Sequence, residues 1–146
     1  MSAIALVDTN VLVYRFDHRF PAKQAAATAL LARGLREESV ALPHQAIIEL
    51  VAATTRPLRG NPPLLTPAHA RREAEDLLDQ FPVLYPDERV LRTAFRGAAT
   101  YQLSWFDAHL WAYAEVHALE TIYSEDFEHG RRYGEVRVVN PFLGSA

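Results

Sequence analysis

At 146 residues, with 49% hydrophobic and 23% charged side chains, the chain is long enough to bury one core and too mixed to be disordered, collagen-like or of low complexity. The absence of cysteine excludes disulfides, thiolate zinc sites and a cysteine nucleophile. A net charge of −3 supplies none of the basic surplus on which phosphate binding usually rests.

The elements follow in chain order. Ile4 to Val7 is an apolar, partly β-branched run, expected as a buried strand that ends at Asp8 and leads through Thr9 and Asn10 into a helix start. No basic region, long apolar stretch or cleavage site marks the N-terminus, so a cytoplasmic protein with no membrane insertion is expected. Pro21 to Glu38 is rich in alanine and leucine and predicts a helix; Val40 to Pro43 predicts a short strand, followed by a second helix through Ala53 that carries Glu49. Five residues, Pro57, Gly60, Pro62, Pro63 and Pro67, punctuate a surface loop.

Helical patterns resume over Pro67 to Gln80 and Asp87 to Tyr101, separated by a brief strand around Val83 and Leu84. Ser104 opens another helix, with Leu110, Ala114 and His117 on one face, and Thr121 to Tyr123 and Val136 to Val139 are the last two strands. Strands alternating with helices imply an α/β fold with a mostly parallel central sheet and helices on both faces, forming a single domain over residues 1–146.

In such sheets ligands bind beyond the carboxyl ends of the strands, and Asp8 and Asp126 both follow strand-like runs. Asp107 falls in the first turn of the helix opened by Ser104, and Glu49 has apolar neighbours on both sides, an awkward place for a carboxylate without a partner. Each has an ordinary structural reading as a cap, an Asx turn or a solvated face. Together they carry more weight, because clustered carboxylates repel and raise one another's pKa unless a cation offsets them. Oxygen donors without histidine or cysteine suit Mg²⁺ or Mn²⁺, ions that activate water for attack on a phosphodiester. Neutralising four of the 18 acids leaves 14 against 15 basic residues, so the overall acidity does not argue against nucleic acid.

The strings VDTNVLVYRFD from Val7, QAIIELVAATTRP from Gln45, SWFDAHLWAYA from Ser104, YSEDFEHG from Tyr123 and VVNPF from Val138 together resemble a PIN domain, and more narrowly the toxin of VapBC-type toxin–antitoxin modules. The resemblance implies a PIN-like fold and a metal-dependent ribonuclease. In that reading Asp8 and Asp107 are the central Mg²⁺ or Mn²⁺ ligands, Glu49 and Asp126 complete the acidic pocket, and Thr9, Asn10 and Ser124 support the ligands. It also implies an RNA substrate, a cognate antitoxin protein and a homodimer. Pro43 and Ile48 stand where similar sequences often carry polar residues.

A second reading, an inactive PIN-fold binding module, is disfavoured because all four acids are present. A receiver-like phosphoacceptor using Asp8 would need a lysine, and the only one, Lys23, lies in an expected outer helix. A dehalogenase-like phosphatase would need aspartate where the chain has Asn10. No pair among His18, His44, His69, His109, His117 and His129 has the close helical spacing of a zinc site. His129 to Arg132 is read as a solvated turn or a phosphate contact, and Trp105, Phe106, Trp111 and Tyr113 as helix-packing residues.

Overall fold

The computed structural model describes residues 4–144. In chain order the elements are β1 (Ala5–Val7), α1 (Thr9–Tyr14), α2 (Pro21–Glu37), β2 (Val40–Pro43), α3 (His44–Thr55), α4 (Pro67–Gln80), β3 (Val83–Leu84), α5 (Glu88–Tyr101), α6 (Trp105–Val116), β4 (Thr121–Tyr123), β5 (Arg132–Tyr133) and β6 (Val136–Val139). The strands form one sheet in the order β3-β2-β1-β4-β6-β5, parallel throughout except where β5 runs antiparallel to β6.

Alternation along the strands divides the core in two. Val7, Val40 and Leu42 face α1 to α4, where Leu12, Leu31, Leu50 and Leu77 are buried with them. Leu6, Ile122 and Val138 stand in register across β1, β4 and β6 and face α5 and α6, with Val90, Leu110 and Tyr113. Helices therefore cover both faces, as the strand–helix alternation requires.

The differences from expectation are local. Ile4 lies outside β1 and is exposed, and α3 runs two residues further, to Thr55. β5 lies within the polar segment before β6, where its two residues give no readable period. His117 is the exposed C-cap of α6 rather than a member of a buried stripe, because α6 is wrapped by neighbours from Leu110 to Ala114 and carries no single apolar face. Trp111 and Tyr113 are packed as expected, but Trp105 and Phe106 are 65% and 73% exposed, which corrects their reading as packing residues. They occupy the first turn of α6, where Trp105 meets Phe95 of α5 edge-on (5.7 Å between ring centroids) and stays largely in solvent.

Candidate functional site

The parallel strands bring their carboxyl ends to one edge, and two backbone bonds tie that edge together. The Asp8 N–H donates to the Tyr123 carbonyl (3.0 Å), and the Ser124 N–H donates to the Val139 carbonyl (3.1 Å). Asp8 is thereby held where β1 ends and α1 begins, and Ser124 and Asp126 just past β4. Glu49 reaches the same edge from α3, which leaves the end of β2 directly, and Asp107 from the first turn of α6.

Asp8 is 7% exposed. Its Oδ1 accepts from the Thr9 N–H (2.7 Å) and its Oδ2 from Ser124 Oγ (2.6 Å). The Thr9 hydroxyl donates to Glu49 Oε2 (2.7 Å), and Asn10 Nδ2 lies 3.3 Å from Asp8 Oδ2 and 3.1 Å from Asp126 Oδ2. Thr9 and Asn10 thus couple Asp8 to Glu49 and to Asp126, while Ser124 Oγ also accepts from the Asp126 N–H (3.1 Å). Asp107 enters no bond with the other acids; its N–H donates to Ser104 Oγ (3.2 Å), which caps α6 and fixes its first turn.

A model of the PIN domain family matches residues 5–135. The chain belongs to the PIN domain family. A toxin–antitoxin complex from Klebsiella pneumoniae resembles this PIN domain with a TM-score of 0.65 at 20% identity, over 94% of this chain and 97% of that one. The FitAB complex bound to a DNA fragment gives 0.71 at 23%, over 95% and 96%. VapC20 of Mycobacterium tuberculosis, a toxin that cleaves the sarcin–ricin loop, gives 0.62 at 15%, over 84% and 89%. At these identities the likeness is one of fold. A search of curated protein sequences finds no significant match.

Electrostatics bind the four acids of the PIN domain into one group. Burial pushes the Asp8 carboxyl up to about 7 against the lowering effect of Ser124 and Thr9, and the charges of Asp126 and Asp107 add to the rise. Asp107 is raised as well, chiefly by burial and then by Asp126 and Glu49. The charges of Asp126 and Asp107 thus reach Asp8, and those of Asp126 and Glu49 reach Asp107, along one crevice at the sheet edge. The oxygen-only donor set suits a hard divalent cation. Among the described residues, however, no three His, Asp or Glu side chains converge closely enough to ligate one ion as they stand. The carboxylates of Asp8, Glu49 and Asp126 turn instead towards Thr9, Asn10 and Ser124. Asn10 Oδ1, buried in the same network, has no hydrogen-bond partner among the described residues and offers one further oxygen donor.

Sequence reasoning missed the far side of this crevice. Lys23 does lie on α2, but its ammonium donates to Glu125 Oε2 (3.0 Å) and to Tyr14 Oη (3.2 Å), and Tyr14 Oη donates to Glu125 Oε1 (2.6 Å). A lone lysine in an α-helix gives no hint that it reaches a residue 102 positions away. The His129 to Arg132 segment is a built turn: His129 Nδ1 accepts from the Asn140 N–H (3.0 Å), Arg131 lies over the Tyr133 ring (4.7 Å), and Arg132 pairs within the sheet. His109 is shifted down by burial, as an apolar surrounding dictates. Pro43 ends β2 opposite Leu84, leaving α3 without a side-chain cap, and Ile48 is exposed beside Glu49.

Proposed function

We propose that this PIN domain is a metal-dependent endoribonuclease, the toxin of a VapBC-type toxin–antitoxin module. The observation that carries the proposal is the crevice of four carboxylates, free of histidine ligands, at the carboxyl edge of the parallel sheet, with Asp8 held near neutrality by burial and by its acidic neighbours. Asp8 and Asp107 would be the central ligands of Mg²⁺ or Mn²⁺, and Glu49 and Asp126 would complete the set. Such an ion, when bound, lowers the pKa of a water and offsets charge on the phosphodiester oxygens. Ser124 orients the Asp8 oxygen that it holds, Thr9 restrains Glu49, and Asn10 spans Asp8 and Asp126. Neither a hydroxyl nor an imidazole is required as nucleophile, since water can attack phosphorus directly.

The neighbours in fold, among them a toxin that cleaves the sarcin–ricin loop and a toxin–antitoxin complex, support this assignment. An antitoxin would dock an apolar segment on the helices and present Arg or Lys to the anionic crevice. A homodimer would need an apolar face, and the exposed stripe of Leu91, Phe95, Trp105 and Phe106 supplies one. Cytoplasmic localisation accords with the targets of such a toxin; among the described residues no helix is long and apolar enough to cross a membrane.

Purified parent and Asp107→Asn should be assayed on RNA with Mg²⁺, with Mn²⁺ and with EDTA. The parent should cleave only with metal, and the variant should lose at least about a hundredfold while melting no lower than the parent, because Ser104 and not Asp107 caps α6. A parent inert with both ions would favour the inactive binding module instead.

A further inference from the structure

A groove of about 350 Å³ opens directly beside the carboxylate crevice. Thr9, Asn10 and Asp126 form the wall that it shares with the crevice; the rest of its lining, the far wall, includes Tyr14, Arg19, Phe20 and Glu125, whose carboxylate is engaged by Lys23 and Tyr14. Two features of the far wall have no role in the core. Phe20 stands at the N-cap position of α2, where a small polar side chain is favoured, makes no capping bond, and is 42% exposed. Asp17 is only 2% exposed, yet its carboxylate serves an arginine in solvent: Arg19 Nε donates to Oδ1 (2.9 Å) and Nη2 to Oδ2 (2.8 Å).

A buried carboxylate in a two-pronged bond holds a guanidinium in one orientation. That guanidinium, with its side chain still 41% exposed, lies 5.4 Å over the Phe20 ring. A fixed cation and a part-exposed aromatic ring therefore line the same groove as Asp126. Recognition of single-stranded RNA combines these two elements, a cation for the backbone and a ring for the base. An approaching phosphodiester also meets four carboxylates, so a positive charge fixed nearby offsets a repulsion that the crevice itself creates.

We infer that this groove is the subsite for the nucleotide next to the scissile phosphate, with Arg19 contacting its phosphate and Phe20 stacking on its base. The inference rests on the ribonuclease reading. Lys23, held by Glu125 and Tyr14 and 5.6 Å from the Phe20 ring, stiffens the same wall.

The test is steady-state cleavage of a short single-stranded RNA by the parent, Arg19→Gln, Phe20→Ala, Phe20→Leu and Phe20→Tyr. Arg36→Gln, in the last turn of the same helix, is the charge control. Arg19→Gln and Phe20→Ala should raise KM about tenfold, a loss in the range expected of one stacked base, with kcat within about threefold. Phe20→Tyr should restore KM and Phe20→Leu should not, which separates ring stacking from simple packing. Arg19→Gln alone should flatten the dependence of log KM on log salt by about 0.7, the amount expected for one phosphate contact to a single strand.

Parental KM and salt slope in both Arg19→Gln and Phe20→Ala would overturn the inference, as would an equal effect in Arg36→Gln. It also falls if these variants cleave RNA normally but no longer bind a co-expressed antitoxin, since the groove would then take a protein. If the parent cleaves no RNA, the ribonuclease reading fails first and the subsite with it.

Discussion

Asp8 serves the fold and the site with the same two oxygens. It caps α1 through the Thr9 N–H and accepts from Ser124 across the sheet edge, while burial and its acidic neighbours push its carboxyl up to about 7 from 3.8. A buried acid whose pKa is raised in the native state makes no demand below the unfolded value, where it is neutral in both states. Stability then falls as pH climbs to the native value, because the unfolded chain ionises first. For Asp8 that window runs from 3.8 to about 7, and the whole cost is no more than about 4 kcal/mol. Asp8→Asn, which keeps the capping ability, should therefore gain stability over the parent as pH rises through that window and hold the gain above it. Thermal melts in EDTA at constant ionic strength measure this directly; a difference independent of pH would mean that Asp8 is not ionising against burial. The acid was legible as a residue after a strand, but its raised pKa comes from burial and from Asp126 and Asp107, against the lowering bond from Ser124, all set by the tertiary fold.

At the scale of elements, α5 and α6 make the most extensively packed helix pair, and Gly97 is a point of close approach. A Cβ there would stand 2.5 Å from Trp111 Cε3, and the indole cannot retreat, since it is buried and its Nε1 donates to the Tyr133 carbonyl (2.8 Å). Alanine at a helix interior normally gains about 1 kcal/mol over glycine, but overpacking costs about 1–3 kcal/mol, so the net should be a loss of up to about 2 kcal/mol. Gly97→Ala should lower the urea midpoint without changing the slope, and an unchanged or higher midpoint would mean that α5 can shift off Trp111 freely. This packing also positions the site, because α6 carries Asp107. Helix α6 was legible from its Ser104 start, whereas its burial on all sides was not, since no periodic stripe distinguishes a wrapped helix from a surface one.

Across the whole molecule, the carboxylate crevice makes stability depend on what neutralises it. With Mg²⁺ or Mn²⁺ at ten- to hundredfold excess over Kd, the parent should gain about 1–3 kcal/mol, while Asp8→Asn and Asp107→Asn should gain much less. Scanning calorimetry with each ion against EDTA, at matched ionic strength, checks it. If the parent and both variants shift alike, the acids do not form a metal site.

The strand and helix succession apart from β5, and the two-faced sheet, could be read from the sequence, as could the candidate carboxylates, because short apolar runs, capping residues and acids after strands are local patterns with local causes. Membership of the PIN domain family followed from the same local strings. The joining of Thr9 to Glu49, the span of Asn10 between Asp8 and Asp126, and the groove built by Asp17, Arg19 and Phe20 could not. These depend on where separate elements meet. Trp105 and Phe106 make the same point from the other side: their helical spacing matches a packing face, yet the edge-on contact of Trp105 with Phe95 of α5 leaves both rings largely in solvent. Periodicity reports which residues share a face, and only the crossing of neighbouring elements decides whether that face is covered.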